Sequence, residues 1–233
     1  SLQKILTAVN SGKNNPANAP FTLVLCPTRE LAQQVSADAI NLVKNTRGLR
    51  IATIVGGTSY FKQKQGLKGA QLVVATPGRL LDWVQQGGIN LSQLHTLVLD
   101  EADRMLDMGF IHDIKRILKL LPSKRQTLLF SATMPPEIEK LANSMLNKPS
   151  KVEVTPISST VDIISQYIYH VEKKEKTNLL IHLLENTNIE SALVFTRTKY
   201  GADKLARTLT KAGIGAEAIH GNKTQNARQR QSP

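Results

Sequence analysis

Three carboxylates lie within four residues at the end of an apolar run in this sequence: Asp100, Glu101 and Asp103 follow residues 96–99. A strand that ends in adjacent acids is expected to stop at a ligand edge, where one carboxylate holds hydrated Mg²⁺ and the next orients a water molecule. Because successive strand side chains point to opposite faces, Asp100 and Glu101 are expected to have different functions. A solvated acidic turn is the alternative.

Short apolar and β-branched runs alternate with helical patterns in the first part of the chain. The predicted strands are residues 22–26, 50–55, 72–75, 96–99 and 127–130. Between them, apolar residues recur at helical spacing, as at Leu31, Val35, Ala39 and Leu42. This order predicts an α/β fold in which helices cover a parallel sheet.

The polar, proline-containing stretch 155–162 is expected to link a first domain, residues 1–154, to a second that begins at residue 163 and runs to residue 233. In the second domain the predicted strands are 166–171, 192–195 and 216–219, and the predicted helices are 174–184 and 201–211. Because so few strands do not make a sheet that helices cover on both faces, this domain is expected to be incomplete.

The charge balance indicates a polyanionic partner. Thirty Lys and Arg against eighteen Asp and Glu give a formal net charge of +12, which favours nucleic acid. No apolar stretch approaches the roughly 18 residues of a membrane-spanning helix, and no signal peptide is recognisable, so we expect a cytoplasmic protein with no membrane partner. The single cysteine, Cys26, ends an apolar run and is expected to be a core thiol.

Residues with phosphate-binding chemistry also follow strands. Thr76 is expected to cap a helix with Pro77 in its first position, which leaves backbone N–H groups for a phosphate. Arg79 adds a bidentate donor, and Gly78 lets a nucleic-acid backbone come close. An ordinary helix start is the alternative interpretation.

Two further segments are of the same kind. Pro27, Thr28 and Arg29 repeat the strand-to-helix arrangement, and Gly56 and Gly57 offer bare amides after another strand. Together with residues 76–79 they predict three phosphate-binding segments at the carboxyl ends of strands, the edge where open α/β sheets bind ligands.

Two hydroxyl side chains follow the predicted strand 127–130. Ser131 and Thr133 are expected to hydrogen-bond to Asp103 if the strands are neighbours. The alternative is that Ser131 caps the helix announced by Pro135 and Pro136.

Taken in order, segments 27–32, 56–57, 76–79, 100–103 and 131–133 resemble the motifs of the first core domain of DEAD-box ATP-dependent RNA helicases, which belong to superfamily 2. Segments 194–198, 220–221 and 225–228 resemble the opening motifs of the second core domain, and segment 103–110 is most similar to the bacterial RhlE type. The resemblance implies a RecA-like parallel sheet flanked by helices, followed by an incomplete second RecA-like domain.

The resemblance also implies roles for individual residues. Asp100 would hold Mg²⁺ through water, Glu101 would activate the water that attacks the γ-phosphate of ATP, and Asp103 would contact Ser131 and Thr133 to couple hydrolysis to RNA unwinding. The residues implied to bind the RNA backbone are Pro27, Thr28, Arg29, Gly57, Thr76, Pro77, Gly78, Arg79, Thr196, Arg197, Gly221, Gln225 and Arg228. Aromatic residues make up 4% of the chain and no exposed stacking platform is evident, which favours backbone over base contacts.

The sequence departs from the family pattern near its start. A phosphate loop needs G-x-x-x-x-G-K-[ST], but Gly12 and Lys13 have Thr7 in place of the first glycine and Asn14 in place of the hydroxyl. The family's adenine-reading Gln motif and the segment with its arginine fingers are not found either. We therefore expect the chain to be truncated at both ends and to hydrolyse ATP negligibly by itself.

Other classes of function are also considered. A sequence-independent RNA-binding module without ATPase activity fits the basic charge and the absent phosphate loop. A Mg²⁺-dependent nuclease is disfavoured because no second carboxylate group of suitable type is evident. A zinc site is disfavoured because the histidines lack ligand spacing, with His220 left open.

Overall fold

The computed structural model describes residues 18–46, 48–153, 165–187 and 189–224. The chain divides into two compact units, Ser1–Lys151 and Val152–Pro233. The linker expected at 155–162 lies outside the described residues, as do Gln225 and Arg228. The domain boundaries inferred from sequence therefore stay a prediction.

The first unit is built on one parallel sheet. Its five strands are β1 (Thr22–Leu25), β2 (Ile51–Ile54), β3 (Leu72–Ala75), β4 (Thr96–Leu99) and β5 (Gln126–Leu129). They lie in the order β2-β3-β1-β4-β5, and every neighbouring pair is parallel. The sequence prediction of an α/β fold with these five strands is confirmed, and each predicted bound lies within one residue of the observed bound.

Helices join the strands of this unit and cover the sheet. In its described part they are α1 (Arg29–Val43), α2 (Tyr60–Leu67), α3 (Pro77–Gln85), α4 (Ala102–Asp107), α5 (Ile111–Leu118) and α6 (Pro136–Met145). Because side chains alternate across a strand, Leu23 and Leu25 of β1 join one apolar cluster. Val24 and Cys26 join a second cluster. Both faces of the central strand are thus buried, which explains its uninterrupted apolar sequence.

The second unit contains helices α7 (Lys176–Asn186) and α8 (Lys199–Lys211), which confirms the two helices predicted there. The prediction of strands at 166–171, 192–195 and 216–219 is wrong, because none of these segments forms strand ladder hydrogen bonds. Several of their apolar side chains are exposed, such as Ile168 (87%) and Phe195 (86%). A short apolar run becomes a strand only when neighbours supply hydrogen bonds and a covered face, and the described residues of this unit supply neither.

None of the helices among residues 18–46, 48–153, 165–187 and 189–224 is both long enough and apolar enough to cross a membrane.

Candidate functional site

The chemically capable residues of the first unit lie at one edge of its sheet. Each group lies within two residues of the end of a strand: Pro27 after β1, Gly56 after β2, Thr76 after β3, Asp100 after β4 and Ser131 after β5. The strands are parallel and paired in register, so their carboxyl ends meet at this edge. The structure therefore brings together groups that are far apart in the chain, at the edge where parallel α/β sheets bind ligands.

The backbone after β4 is held on both sides. The amide of Asp100 donates to the carbonyl of Leu25, and the amide of Ala102 donates to the carbonyl of Phe130, both at 3.0 Å. Between these anchors Glu101 has φ 51° and ψ 56°, the left-handed region that side chains other than glycine rarely adopt. Such a conformation costs about 1–2 kcal/mol, and it persists here because the flanking residues are fixed to neighbouring strands.

The Glu101 side chain is accessible to a ligand. It is 44% exposed, and its Oε2 lies 3.8 Å from Nε of Arg104. An exposed ion pair at this distance contributes little, so the carboxylate is not committed to a structural contact. Backbone strain that is maintained beside an accessible acid is characteristic of functional sites.

The pKa of Cys26 is affected by the charges at this edge. Its side chain is fully buried, and burial, followed by the charges of Asp100 and Glu101, raises the pKa of the thiol to about 12. The thiol stays neutral, which confirms the prediction of a core cysteine. The two carboxylates are also close enough to act electrostatically on the end of β1.

Asp103 is joined to the segment after β5 by several hydrogen bonds. The hydroxyl and amide of Thr133 donate to Oδ2 of Asp103 at 2.7 and 2.9 Å, and the amide of Asp103 donates to Oγ of Ser131 at 3.1 Å. Ser131 in turn donates to the carbonyl of Thr133 at 2.7 Å. The predicted contacts are confirmed. The alternative role for Ser131 is wrong, because the N-cap of α6 is Pro135.

These bonds set the protonation of Asp103. Burial by itself tends to raise the pKa of the carboxyl, but hydrogen bonds from the hydroxyl and amide of Thr133 and from the amide of Arg104 lower it below its usual value. The charged form is favoured because each bond is donated to the carboxylate. The link between the segments after β4 and β5 therefore depends on an ionised Asp103.

The variant Thr133→Val tests this link. Valine keeps the shape and removes one donor, so the pKa of Asp103 is expected to rise toward its ordinary value. A carboxyl with a lowered folded-state pKa stabilises the fold above the unfolded-state pKa, and this stabilisation is lost as pH falls through the folded-state value. The variant is therefore expected to lose less stability on acidification than wild type. Urea unfolding between about pH 2 and 6 measures the stability, and NMR titration measures the pKa of the Asp103 carboxyl.

Thr208→Val is the matched control, since its hydroxyl donates within α8 to the carbonyl of Lys204 at 3.0 Å. It should leave the Asp103 titration unchanged. An unchanged Asp103 pKa in Thr133→Val would contradict the proposed link.

The two helix starts at this edge differ. Oγ1 of Thr28 accepts the amide of Leu31 at 3.2 Å, so Thr28 caps α1. Thr76 lies at the N-cap of α3 and Pro77 follows as predicted, but the expected side-chain cap of Thr76 is wrong. Thr76 is buried, and its backbone carbonyl accepts the amide of Leu80 at 3.0 Å. The helix therefore begins without the hydroxyl as an acceptor.

Arg29 packs against the glycine pair after β2. A Cβ added to Gly57 would lie 2.3 Å from Nη1 of Arg29, and one added to Gly56 would lie 3.1 Å from Nη2. Gly57 also has φ +74°, a conformation suited to glycine. The structure thus joins two of the predicted phosphate-binding segments, and a Cβ at position 57 would displace the guanidinium.

Sequence reasoning missed the side chains that support this edge. The buried amide of Gln63 donates to the carbonyl of Val55 at 2.8 Å, and Oε1 of Gln63 accepts Nε1 of Trp83 at 2.9 Å. The same amide contacts the hydroxyl of Thr58. A glutamine and a tryptophan on successive helices were the available signal, because buried polar groups must find partners.

Two exposed aromatic side chains lie beside the glycine segment, although no stacking platform was evident in the sequence. Tyr60 is 40% exposed and Phe61 is 69% exposed at the start of α2, directly after the glycine segment. The guanidinium carbon of Arg79 lies 4.0 Å from the centroid of the Tyr60 ring. A count of aromatic residues does not show where they lie, and these two are adjacent at the site.

The predicted residues of the second unit lie around the start of α8 and the segment after it. Thr196 and Arg197 are exposed and precede the helix, where Oγ1 of Thr198 caps the amide of Gly201 at 3.0 Å. Gly221 is exposed and follows His220. These residues are accessible, as phosphate contacts require.

His220 and Lys223 share the carboxylate of Asp203. Nε2 of His220 lies 3.0 Å from Oδ2 of Asp203, and Nζ of Lys223 lies 2.9 Å from Oδ1 of the same carboxylate. Hydrogen bonds from Lys223 and His220 hold the pKa of Asp203 below its usual value. His220 therefore ties the segment that carries Gly221 to α8, and this contact is distinct from zinc ligation.

Carboxylates at the end of β4 suit a hard cation. Mg²⁺ is commonly bound by one or two carboxylates together with waters and substrate phosphates, and Asp100 is a partly exposed acid at the ligand edge. Among the described residues no group of three or more His, Cys, Asp or Glu side chains could hold a metal ion. The donor set therefore fits a metal that is shared with phosphates and does not fit a closed structural site.

Fold and site together define a parallel α/β protein whose acids, hydroxyls and basic helix starts gather at the carboxyl edge of its sheet. Residues 2–141 match the DEAD/DEAH box helicase family, and the chain belongs to that family.

The chain is similar to several curated and solved relatives. It is 42% identical over 209 residues to the DEAD-box ATP-dependent RNA helicase CshA of Streptococcus pneumoniae serotype 4, covering 89% of this chain and 40% of the relative. It is 41% identical over 213 residues to the ATP-dependent RNA helicase RhlB of Pseudomonas aeruginosa, covering 90% and 53%. The crystal structure of a DEAD box protein from the hyperthermophile Methanococcus jannaschii has 40% identity and a TM-score of 0.56, covering 92% of this chain and 57% of that one. The chain thus spans about half of these relatives.

Proposed function

We propose that this chain is part of an ATP-dependent RNA helicase that couples ATP binding and hydrolysis to local unwinding of RNA duplexes. The observation that carries the proposal is the edge after β4 and β5, where the strained, accessible Glu101 lies two residues from Asp103, and Asp103 is bonded to Ser131 and Thr133. The names of the related helicases agree with this function.

Asp100 and Glu101 have different roles in the nucleotide chemistry. Asp100 would help to hold Mg²⁺, and Glu101 would accept a proton from the water that attacks the γ-phosphate of ATP, so that ADP and phosphate are released. The metal, when bound, neutralises charge on the phosphates. Glu101 suits a base because its carboxylate is accessible, and its backbone is fixed by the anchors on either side.

Asp103 connects the proposed nucleotide site at Asp100 and Glu101 to the segment after β5. Its carboxylate receives two hydrogen bonds from Thr133, across 30 positions of sequence. A change in the backbone at Glu101 therefore reaches Ser131 and Thr133 through a short, charged connection. We propose that this connection couples hydrolysis to RNA unwinding.

RNA is held through its sugar-phosphate backbone. In the first unit the proposed contacts are Pro27, Thr28, Arg29, Gly57, Thr76, Pro77, Gly78 and Arg79, and in the second unit they are Thr196, Arg197, Gly221, Gln225 and Arg228. Helix starts, bare amides and guanidinium groups are the donors that phosphate oxygens accept. The net charge of +12 supports a polyanionic partner.

The proposal is tested with the intact protein in two assays: phosphate release with and without a single-stranded RNA, and separation of a short labelled RNA duplex. We expect RNA to stimulate ATP turnover, and strand separation to require ATP and Mg²⁺. ATP turnover that does not respond to RNA, together with no strand separation, would contradict the helicase function.

A non-enzymatic, sequence-independent RNA-binding module is the second candidate. It is favoured by the departure of residues 7–14 from the phosphate-loop pattern. RNA binding that depends on salt but ignores added ATP would support this alternative.

A further inference from the structure

Tyr60 is held in place by three neighbouring residues at the start of α2. Its ring lies under the guanidinium of Arg79, at 4.0 Å from the guanidinium carbon to the ring centroid. Its hydroxyl donates to Oδ2 of Asp82 at 3.2 Å. Its ring centroid is also 5.4 Å from that of Trp83, at an interplanar angle of 48°. The orientation of the ring is therefore set by neighbours on α3.

These contacts connect Arg79 to the end of β2. Trp83 is buried and donates to Gln63, and Gln63 donates to the carbonyl of Val55 next to the glycine segment. The Tyr60 ring packs beside Trp83 and has one face toward Arg79. The guanidinium thus rests on a ring that is itself fixed to the sheet edge.

Arg79 retains donor capacity in this position. A guanidinium has five N–H donors, and in the part of the chain that the structure describes its one hydrogen bond to protein runs from Nη2 to the carbonyl of Thr58, at 3.5 Å. Arginine has large rotamer freedom, which is lost when it binds an anion. A side chain that is already ordered loses less freedom on binding.

We infer that Tyr60 is a positioning residue, which holds Arg79 in the orientation that contacts a phosphate of the RNA strand. The inference rests on the proposed function, because it needs RNA at this edge. Tyr60 then contributes to binding of the RNA backbone through Arg79. No base needs to stack on the Tyr60 ring.

The test is RNA binding by the intact protein with a non-hydrolysable ATP analogue, Mg²⁺ and a single-stranded uridine oligonucleotide, over a range of salt concentrations. Tyr60→Leu removes the ring and is expected to weaken binding by about two- to tenfold. Arg79→Ala is expected to weaken binding further and to lower the slope of log K against log salt by about 0.7, the value for one phosphate contact with a single strand.

The double variant decides between positioning and a direct contact. If Tyr60 acts through Arg79, Tyr60→Leu has no further effect in the Arg79→Ala background. Tyr60→Phe keeps the ring under the guanidinium and loses only the bond to Asp82, so it is expected to bind within about twofold of wild type. Loss of folded protein would lower the amount that binds without changing the salt slope, so the slope separates positioning from instability.

Phe61→Leu is the matched control, because Phe61 is the neighbouring exposed aromatic. It is expected to bind as wild type. A loss as large as that of Tyr60→Leu, or equal effects of Tyr60→Leu in both backgrounds, would indicate an aromatic surface for bases and would overturn the inference. If Arg79→Ala binds RNA as tightly as wild type, RNA does not contact this edge and the proposed RNA-binding function is contradicted. If Arg79→Ala weakens binding but Tyr60→Leu does not, only the inference fails.

Discussion

Replacing Glu101 with glutamine in the intact protein is expected to lower ATP turnover by about 10²–10⁴-fold, the contribution of a positioned general base. The amide has the same shape as the carboxylate but cannot accept the proton of the attacking water. ATP affinity is expected to be retained because Asp100 keeps its charge. Turnover is measured as phosphate release at saturating ATP and RNA, and affinity is measured with a fluorescent nucleotide.

The control for this result is Asp107→Asn, which makes the same acid-to-amide change at an exposed position on α4. It should leave turnover close to wild type. Thermal unfolding of both variants checks that the fold keeps its stability. Normal turnover in Glu101→Gln would rule out this residue as the base and would leave the strain at position 101 without a catalytic reason.

A methyl group at Gly57 is expected to weaken RNA binding by about tenfold to hundredfold, the range for losing a hydrogen bond to a charged group. In Gly57→Ala the new Cβ would lie 2.3 Å from Nη1 of Arg29, so the guanidinium must move away from the glycine segment. Alanine also takes the positive φ of +74° at a cost of about 1–2 kcal/mol. The measurement is the RNA dissociation constant at fixed salt.

Gly87→Ala separates these two effects. Gly87 has a similar φ of +65° and nothing within 4 Å of an added Cβ, so the variant has the same backbone strain without displacing an arginine. It is expected to be less stable than wild type and to bind RNA normally. Equal losses of RNA affinity in the two variants would show that strain, rather than the position of Arg29, accounts for the effect at Gly57.

Much of the first unit follows from local sequence. The apolar runs that became β1 to β5 contain enough β-branched and apolar residues to identify buried parallel strands, and their bounds were predicted within one residue. Once these strands are parallel, residues that follow them must share an edge. For this reason Asp100, Thr28 and Thr76 could be grouped before any coordinates.

The second unit shows where this reasoning stops. Residues 192–195 have a strand-like sequence, yet Leu193 and Phe195 are exposed and no ladder forms among the described residues. Helices α7 and α8 were predicted correctly because their hydrogen bonds are made within the segment. A strand depends on partners elsewhere, so its apolar pattern is necessary but insufficient.

The sequence by itself determined the parallel α/β class of the first unit, the order of its acids, hydroxyls and basic helix starts, and the edge at which they gather, because these depend on periodicity and on strand direction. Only the tertiary structure decided the left-handed backbone of Glu101, the packing of Arg29 on Gly57 and the stacking of Arg79 on Tyr60. These features are set by distances of a few ångströms between segments far apart in the chain, and no local pattern encodes such distances.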